Sequence, residues 1–356
     1  MNKFKIGKSS IGKDAKVYFI ADIAANHDGN LSRAKKLIRL CAKAGANAAK
    51  FQHFKAETIV SDSGFKNIGK ITHQAKWKKS VFEVYKDASI NPEWTKELAK
   101  ECKKNEIDFL TAPYDLEYVD EVNKFIPAYK IGSGDITWRD IIVKIAKKKK
   151  PVLLASGAST LQETIDATKL ILKYNKKLIL MQCNTNYTNS LKNFEYINLK
   201  VLLQFKNIFK DKIILGLSDH TPGHSSVLGA VTLGAKVIEK HFTDNNYRNG
   251  PDHAFSLNPK TWHAMVVASR QLELSLGNGK KKLEFNEKKS VIIQRRGVWI
   301  KKYLKKGEKL KKEHLKFLRP CPQKSISPFF IDKHLGKKAK KNLKIDSLLT
   351  KKCLSL

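Results

Sequence analysis

Short apolar runs, each closing on polar residues, recur along the chain and alternate with segments whose apolar positions fall three or four residues apart. The runs lie at 17–23, 47–52, 108–111, 128–131, 151–155, 178–182, 213–215 and 237–238. After the first of them Asn30 stands where a helix cap belongs. Leu31, Ala34, Leu37, Ile38 and Cys41 then share one helical face, and Gly45 ends the pattern after residue 44. Further helices are expected through Tyr85, over 92–104, over 225–233 with Gly234 as stop, and over 259–276 with Gly277 as stop. Eight short buried strands, each followed by helical sequence, predict an α/β fold, a (β/α)8 TIM barrel. The alternative, a doubly wound open sheet, normally carries a Gly-rich phosphate turn after its first strand, and this sequence has none there.

Parallel barrel strands bring their carboxyl ends to one rim, so the residues that close the apolar runs become neighbours in space. Asp22, Asn26, His27, Lys50, Gln52, Lys130, Ser133, Asp135, Asn184, Tyr187, Ser218, His220, Glu239 and His241 all fall at or just beyond a strand end. So many polar residues on one rim point to an active site. Residues 55–80 show no period and are read as a lid or substrate loop. The stretch 277–289 turns polar and Gly/Lys-rich, which suggests a linker. Beyond it, apolar β-type runs at 291–293 and 297–300 mix with the turn Lys306-Gly307-Glu308 and with Arg319-Pro320-Cys321-Pro322, as in a small, mostly β domain. The expected division is a barrel over 1–278, a linker over 279–290 and an appended domain over 291–356.

Composition narrows the class. The chain has 356 residues, 42% of them hydrophobic, enough for a sizeable core. No apolar run is long enough to cross a bilayer and no signal-like core follows Met1-Asn2-Lys3-Phe4-Lys5, so a cytoplasmic protein is expected. The 5 cysteines include no Cys-x-x-Cys pair, which argues against a disulfide framework or a structural zinc, and Cys183 is read as a small buried hydrophobe. The net charge of +36 comes mainly from dispersed lysines, without the clustered arginines and interleaved aromatics of a nucleic-acid surface. Its expected consequence is attraction of anionic substrates.

The rim chemistry can be read from residue types. His220 and His241 end neighbouring strands, with the carboxylates Asp219 and Glu239 just before them. That pattern suits a divalent cation with open positions, such as manganese, iron, cobalt or zinc. Lys50 and Lys130 suit an anion carrying phosphate and carboxylate. Either could instead be a Schiff-base nucleophile, but a cation that already polarises a carbonyl makes an imine redundant. Ser133, Ser218 and Asn184 could hydrogen-bond the same anion, Glu239 could orient water or move a proton, and Asp22, Gln52, Tyr187 and Asp252 could receive sugar hydroxyls. Together this is equipment for adding an enol to an aldehyde.

Several blocks, in order and spacing, resemble the sialic acid (N-acetylneuraminate) synthase family, phosphoenolpyruvate-dependent nonulosonic acid synthases. They are Asn26-His27-Asp28-Gly29, Lys50-Phe51-Gln52, the run 127–134, the run 216–221, and Glu239-Lys240-His241-Phe242-Thr243-Asp244 leading to Gly250-Pro251-Asp252. The region from 291 onward resembles the antifreeze-like (SAF) domain these enzymes carry, with Arg319-Pro320 in the expected place.

The resemblance implies a condensation of phosphoenolpyruvate with N-acetylmannosamine or a 2,4-diacetamido-trideoxy hexose, metal-assisted and with C–O cleavage. It implies His220 and His241 as ligands of manganese, with magnesium or cobalt as alternatives. Phosphoenolpyruvate would lie on Lys50, Lys130, Ser133, Ser218 and Asn184, or Asn186 in place of the last. The sugar would face Asp22, Gln52, Tyr187, Asp252 and Arg319, and Glu239 would assist proton transfer. A domain-swapped homodimer is implied, with Arg319 acting across the interface, and no nucleic-acid or membrane partner. Family members often carry Glu where this chain has Asp22 and Asp135, a shortening that could admit a different sugar. Two competing readings are a Schiff-base pyruvate lyase on the same barrel, which borohydride would trap at Lys130, and a non-catalytic carbohydrate-binding protein.

Overall fold

The chain opens with a hairpin, β1 (Phe4–Ile6) paired antiparallel with β2 (Ser9–Ile11). Its apolar positions alternate, so Phe4, Ile6 and Ile11 share one buried face. These details come from a computed structural model, which describes residues 3–69, 71, 74 and 77–355. Two compact units divide the chain, residues 1–277 and 278–356.

Eight parallel strands follow the hairpin: β3 (Tyr18–Asp22), β4 (Ala48–His53), β5 (Asp108–Pro113), β6 (Tyr129–Ile131), β7 (Val152–Ala155), β8 (Leu178–Cys183), β9 (Ile214–Asp219) and β10 (Val237–His241). They close into a barrel in which β10 pairs with both β9 and β3. The TIM barrel expected from the alternation of strands and helices is therefore present.

Strand parity explains the interior. Tyr18, Ile20, Ala48, Leu110, Ala128, Leu153, Ile179, Met181 and Val237 form one buried apolar cluster together with Phe4, Ile6 and Ile11 of the hairpin. The hairpin thus plugs the amino-terminal end of the barrel. Residues two further along each strand share the same inward face. By that rule Asp22, Lys50, Lys130, Cys183, Ser218, Glu239 and His241 continue the interior column at the carboxyl end. The opposite parity (Phe19, Ala21, Ala49, Phe51, Leu154, Leu180) packs in the larger cluster shared with the helices. Inside the barrel at Gly216 a Cβ would come within 3.0 Å of the Val237 carbonyl, so only glycine lets β9 pass there.

The first helix starts where the sequence signalled. Asn30 Oδ1 accepts the Arg33 N–H at 2.9 Å to cap Leu31–Lys43, and Ser80 with Glu83 forms a capping box on Val81–Ala88. Two expectations need correcting. Residues 55–80 are not structureless, since they include the short helices Ala56–Ile59 and Asp62–Ile68. The second buries no residue, so it left no apolar stripe to read. Lys70, Thr72, His73, Ala75 and Lys76, within that stretch, lie outside the described residues. The β-type run 291–293 belongs to a helix, Lys288–Gln294, that also occupies part of the expected linker. Its β-branched residues are at most half-buried, and β propensity without a pairing edge does not make a strand.

The second unit pairs β11 (Gly297–Ile300) with β12 (Leu315–Leu318) around its own core of Val298, Ile300, Leu304, Leu310, Leu343 and Leu349.

Candidate active site

The barrel interior turns from apolar to charged within two residues of each strand. Lys50 on β4 and Lys130 on β6 both reach Glu239 on β10: Lys50 Nζ lies 3.4 Å from Oε1, and Lys130 Nζ bonds the same oxygen. Ser218 Oγ donates to Oε1 as well, at 3.1 Å. Lys50 Nζ also stands 2.7 Å from Asp22 Oδ2. All four charged side chains are at least 96% buried. Glu239 Oε2 has no hydrogen-bond partner among the described residues. Burial alone would raise the Glu239 carboxyl, but Lys130 and then Lys50 hold it at about 2. Burial lowers Lys130, with the Lys50 charge adding to the effect. For Lys50, burial is outweighed by Asp22 and Glu239, which raise it.

Above this charged floor stand the imidazoles of His220 and His241, ring centroids 5.3 Å apart. Burial brings both down to about 3; His241 also adds to the effect on His220, and Lys50 to that on His241, so both rings are neutral at pH 7. His220 Nδ1 lies 2.8 Å from the Asn184 carbonyl, which can only accept, so the proton is on Nδ1 and the lone pair on Nε2. His241 Nε2 is 3.5 Å from Asp22 Oδ2, while its buried Nδ1 has no hydrogen-bond partner among the described residues. Tyr187 packs on His220 with centroids 4.3 Å apart, and Phe255 packs on His241 at 4.8 Å. Two neutral imidazoles, one oriented by a carbonyl and one whose buried Nδ1 has only Asp252 Oδ2 at 3.8 Å among the described residues, suit a divalent cation. Among the described residues no cluster of three or more His, Cys, Asp and Glu donors accompanies them.

A cavity of about 180 Å³ opens beside His241, where Gln52, Gln74, Tyr85, Tyr114, Tyr187 and Asp252 offer polar groups among Phe54, Ile59, Trp77 and Val84. Asp252 Oδ2 accepts the Ala25 N–H at 3.2 Å, and burial pushes its carboxyl up to about 6. Asp135 is likewise raised to about 6 by burial. Ser133 Oγ accepts the Gly157 N–H at 3.0 Å. A second cavity, about 680 Å³, lies past the ends of β7 and β8 and includes Ser156, Gln182, Cys183, Asn184 and Asn186. Of the two asparagines, Asn184 meets His220 through its backbone carbonyl while its side chain donates to the Tyr196 carbonyl at 3.3 Å, and Asn186 is exposed and accepts the Thr188 N–H at 3.1 Å. Arg319 lies in the second unit, where its side chain is exposed and its bond to Pro320 is cis.

The structure thus gathers Asp22, Lys50, Lys130, Ser218, His220, Glu239 and His241 in one interior, with Gln52, Tyr187 and Asp252 at its mouth. Sequence reasoning missed Tyr85, Tyr114, Trp77, Phe255 and Ser156. Tyr114 and Ser156 directly follow strand ends, so the rim rule could have found them. Phe255 comes from an irregular stretch that gives no periodic signal.

Comparison with known proteins adds an independent line. The NeuB family model matches residues 37–281 and the SAF domain model residues 295–355. The N,N'-diacetyllegionaminic acid synthase of Campylobacter jejuni is 37% identical over 94% of this chain and 99% of its own length. The pseudaminic acid synthase of the same species is 33% identical over 94% and 96%. The crystal structure of the N-acetylneuraminic acid synthetase of Leptospira borgpetersenii superposes with a TM-score of 0.70 at 26% identity, covering 82% of this chain and 95% of that one.

Proposed function

The chain belongs to the NeuB family of transferase-type synthases, and from that premise we propose that it condenses phosphoenolpyruvate with a 2,4-diacetamido-trideoxy hexose in the cytoplasm. The product would be a legionaminic or pseudaminic type of acid, plus phosphate. One observation carries the reading: two lysines from separate strands converge on one buried glutamate beside two neutral imidazoles. Relatives with these product names span nearly the whole chain.

Lys50 and Lys130 would bind the phosphate and carboxylate of phosphoenolpyruvate, assisted by Ser133, Asn184 and Ser218. Glu239, which meets both lysines, would give way to that anion. An incoming trianion draws the lysines away, and Glu239 then loses the cations that keep its pKa low. It becomes able to take a proton from the water that adds at C2 and pass it to the oxygen left by the aldehyde, while the second proton of that water leaves the C2 hydroxyl with the phosphate as the C2–O bond breaks. Gln52, Tyr187 and Asp252 would orient the sugar so that its aldehyde carbon meets C3. His220 and His241 would hold manganese, magnesium or cobalt, which supplies Lewis acidity toward an aldehyde oxygen. Arg319 is assigned to the sugar bound by a partner subunit in a homodimer.

The test is phosphate release from phosphoenolpyruvate by the purified protein with 2,4-diacetamido-trideoxy hexoses and with N-acetylmannosamine, before and after chelation. Chelator-sensitive release, fastest with a diacetamido sugar, is the expected result. Faster release with N-acetylmannosamine would overturn the sugar assignment. Chelator-insensitive turnover with borohydride trapping of Lys130 would favour the Schiff-base alternative. Membership in a family of enzymes leaves the non-catalytic carbohydrate-binding reading without support.

A further inference from the structure

The strand ends that carry the two histidines also carry, on their opposite faces, a buried network that the chemistry above does not use. Lys240 stands directly across from Asp219 in the β9–β10 ladder. By strand alternation both point away from the barrel interior, toward the helices. Lys240 Nζ lies 2.6 Å from Asp219 Oδ2 and donates to the Thr221 carbonyl, also at 2.6 Å. Asp219 accepts in addition the Thr221 N–H at 3.0 Å and its hydroxyl at 2.9 Å. Thr221 Oγ1 in turn lies 3.0 Å from Ser226 Oγ, in the first turn of the helix Ser225–Thr232. Asp219, Thr221 and Lys240 are each 1% exposed.

A buried ion pair contributes little net stability, because desolvation offsets the attraction. Its worth lies in what it fixes. Asp219 and Thr221 flank His220, and Lys240 sits between Glu239 and His241. The bonds from Lys240 tie β10 to the turn that ends β9, so the two inward-facing imidazoles cannot separate without breaking them. From its other side His220 is held by the Asn184 carbonyl.

We infer that Asp219, Thr221 and Lys240 are positioning residues that set the spacing of the His220 and His241 side chains for a shared divalent cation. This rests on the reading of those histidines as a cation site. A network that merely stabilised the barrel would cost stability when removed and leave ion affinity alone.

Two variants separate these outcomes. Asp219→Leu with Lys240→Met replaces the pair by apolar side chains, a change that buried ion pairs often tolerate. Thr221→Val removes only the hydroxyl. Manganese affinity is measured by calorimetric titration of chelator-stripped protein, phosphoenolpyruvate affinity on the same metal-free protein, and folding by the thermal midpoint. The expected result is folded variants whose manganese Kd rises at least tenfold for the double change and several-fold for Thr221→Val, with phosphoenolpyruvate affinity altered less than twofold. Folded variants with unchanged manganese affinity overturn the inference. So does a parallel loss of phosphoenolpyruvate affinity, which means a collapsed rim, or a failure of both variants to fold, which makes the network part of the scaffold. Unmodified protein that binds no manganese, cobalt or magnesium overturns the cation reading itself and the inference with it. That failure is recognisable because it appears before any substitution is made.

Discussion

Glu239 is the residue on which the charged floor turns, since it balances two lysines through one oxygen while the other has no hydrogen-bond partner among the described residues. Glu239→Gln removes the anion that competes with phosphoenolpyruvate but keeps the shape. Calorimetry should therefore show phosphoenolpyruvate affinity equal to or tighter than that of the parent, while phosphate release falls by roughly 10²-fold or more, the usual worth of a proton-transfer group. His53 gives a different prediction. Buried between the hydroxyls of Thr95 and Thr111, each 2.8 Å from a ring nitrogen, it is lowered by burial to about 4. The folded state binds fewer protons than the unfolded one between pH 6.5 and about 4. The contribution of neutral His53 is thus complete above that window and lost as pH falls through it, by roughly 3 kcal/mol in all. Urea denaturation across this range should show the loss, and His53→Gln should flatten the slope by one histidine's share. At this scale the site was legible wherever a functional residue ended a strand, because strand ends can be located from sequence. Phe255 and Trp77 were not, since irregular segments carry no period from which to infer a direction.

Among the elements, the hairpin at the start of the chain was the least visible in the sequence. Its two strands are three residues each, too short for alternation to stand out from a basic leader. The structure shows what they do: Ile6 and Ile11 are fully buried against the barrel interior, and the turn at Gly7 leaves no room for a side chain beside Asp108. Ile6→Ala should destabilise the protein by about 3 kcal/mol in urea denaturation, as expected for truncation in a tightly packed core. The eight barrel strands were legible because each is a short apolar run between helical segments. The helix Lys288–Gln294 was not, because its Val291-Ile292-Ile293 run carries β propensity that the exposed setting does not use.

For the whole molecule, the charge of +36 has a measurable consequence if the substrate is a trianion. Raising the salt from about 20 to about 200 mM should lower kcat/KM for phosphoenolpyruvate several-fold while kcat changes little, because screening acts on encounter rather than chemistry. The structure divides into residues 1–277 and 278–356, and Arg319 lies in the second unit. If Arg319 serves a partner's barrel, mixing Arg319→Ala with a Glu239→Gln protein should recover about a quarter of the parent activity, the statistical share of sites in random dimers that have both intact parts. No recovery in mixed dimers would place Arg319 with its own barrel.

The plugged amino-terminal end leaves the barrel a blind well. The lysines lie at its floor and the aromatic-walled cavity at its mouth. A sugar held in that cavity would stand above an anion on the lysines, so the anion would have to descend first. A sugar that arrives early bars the way, so excess sugar should act as a competitive inhibitor toward phosphoenolpyruvate, an inhibition that follows from how the barrel is stoppered rather than from any side chain that reacts.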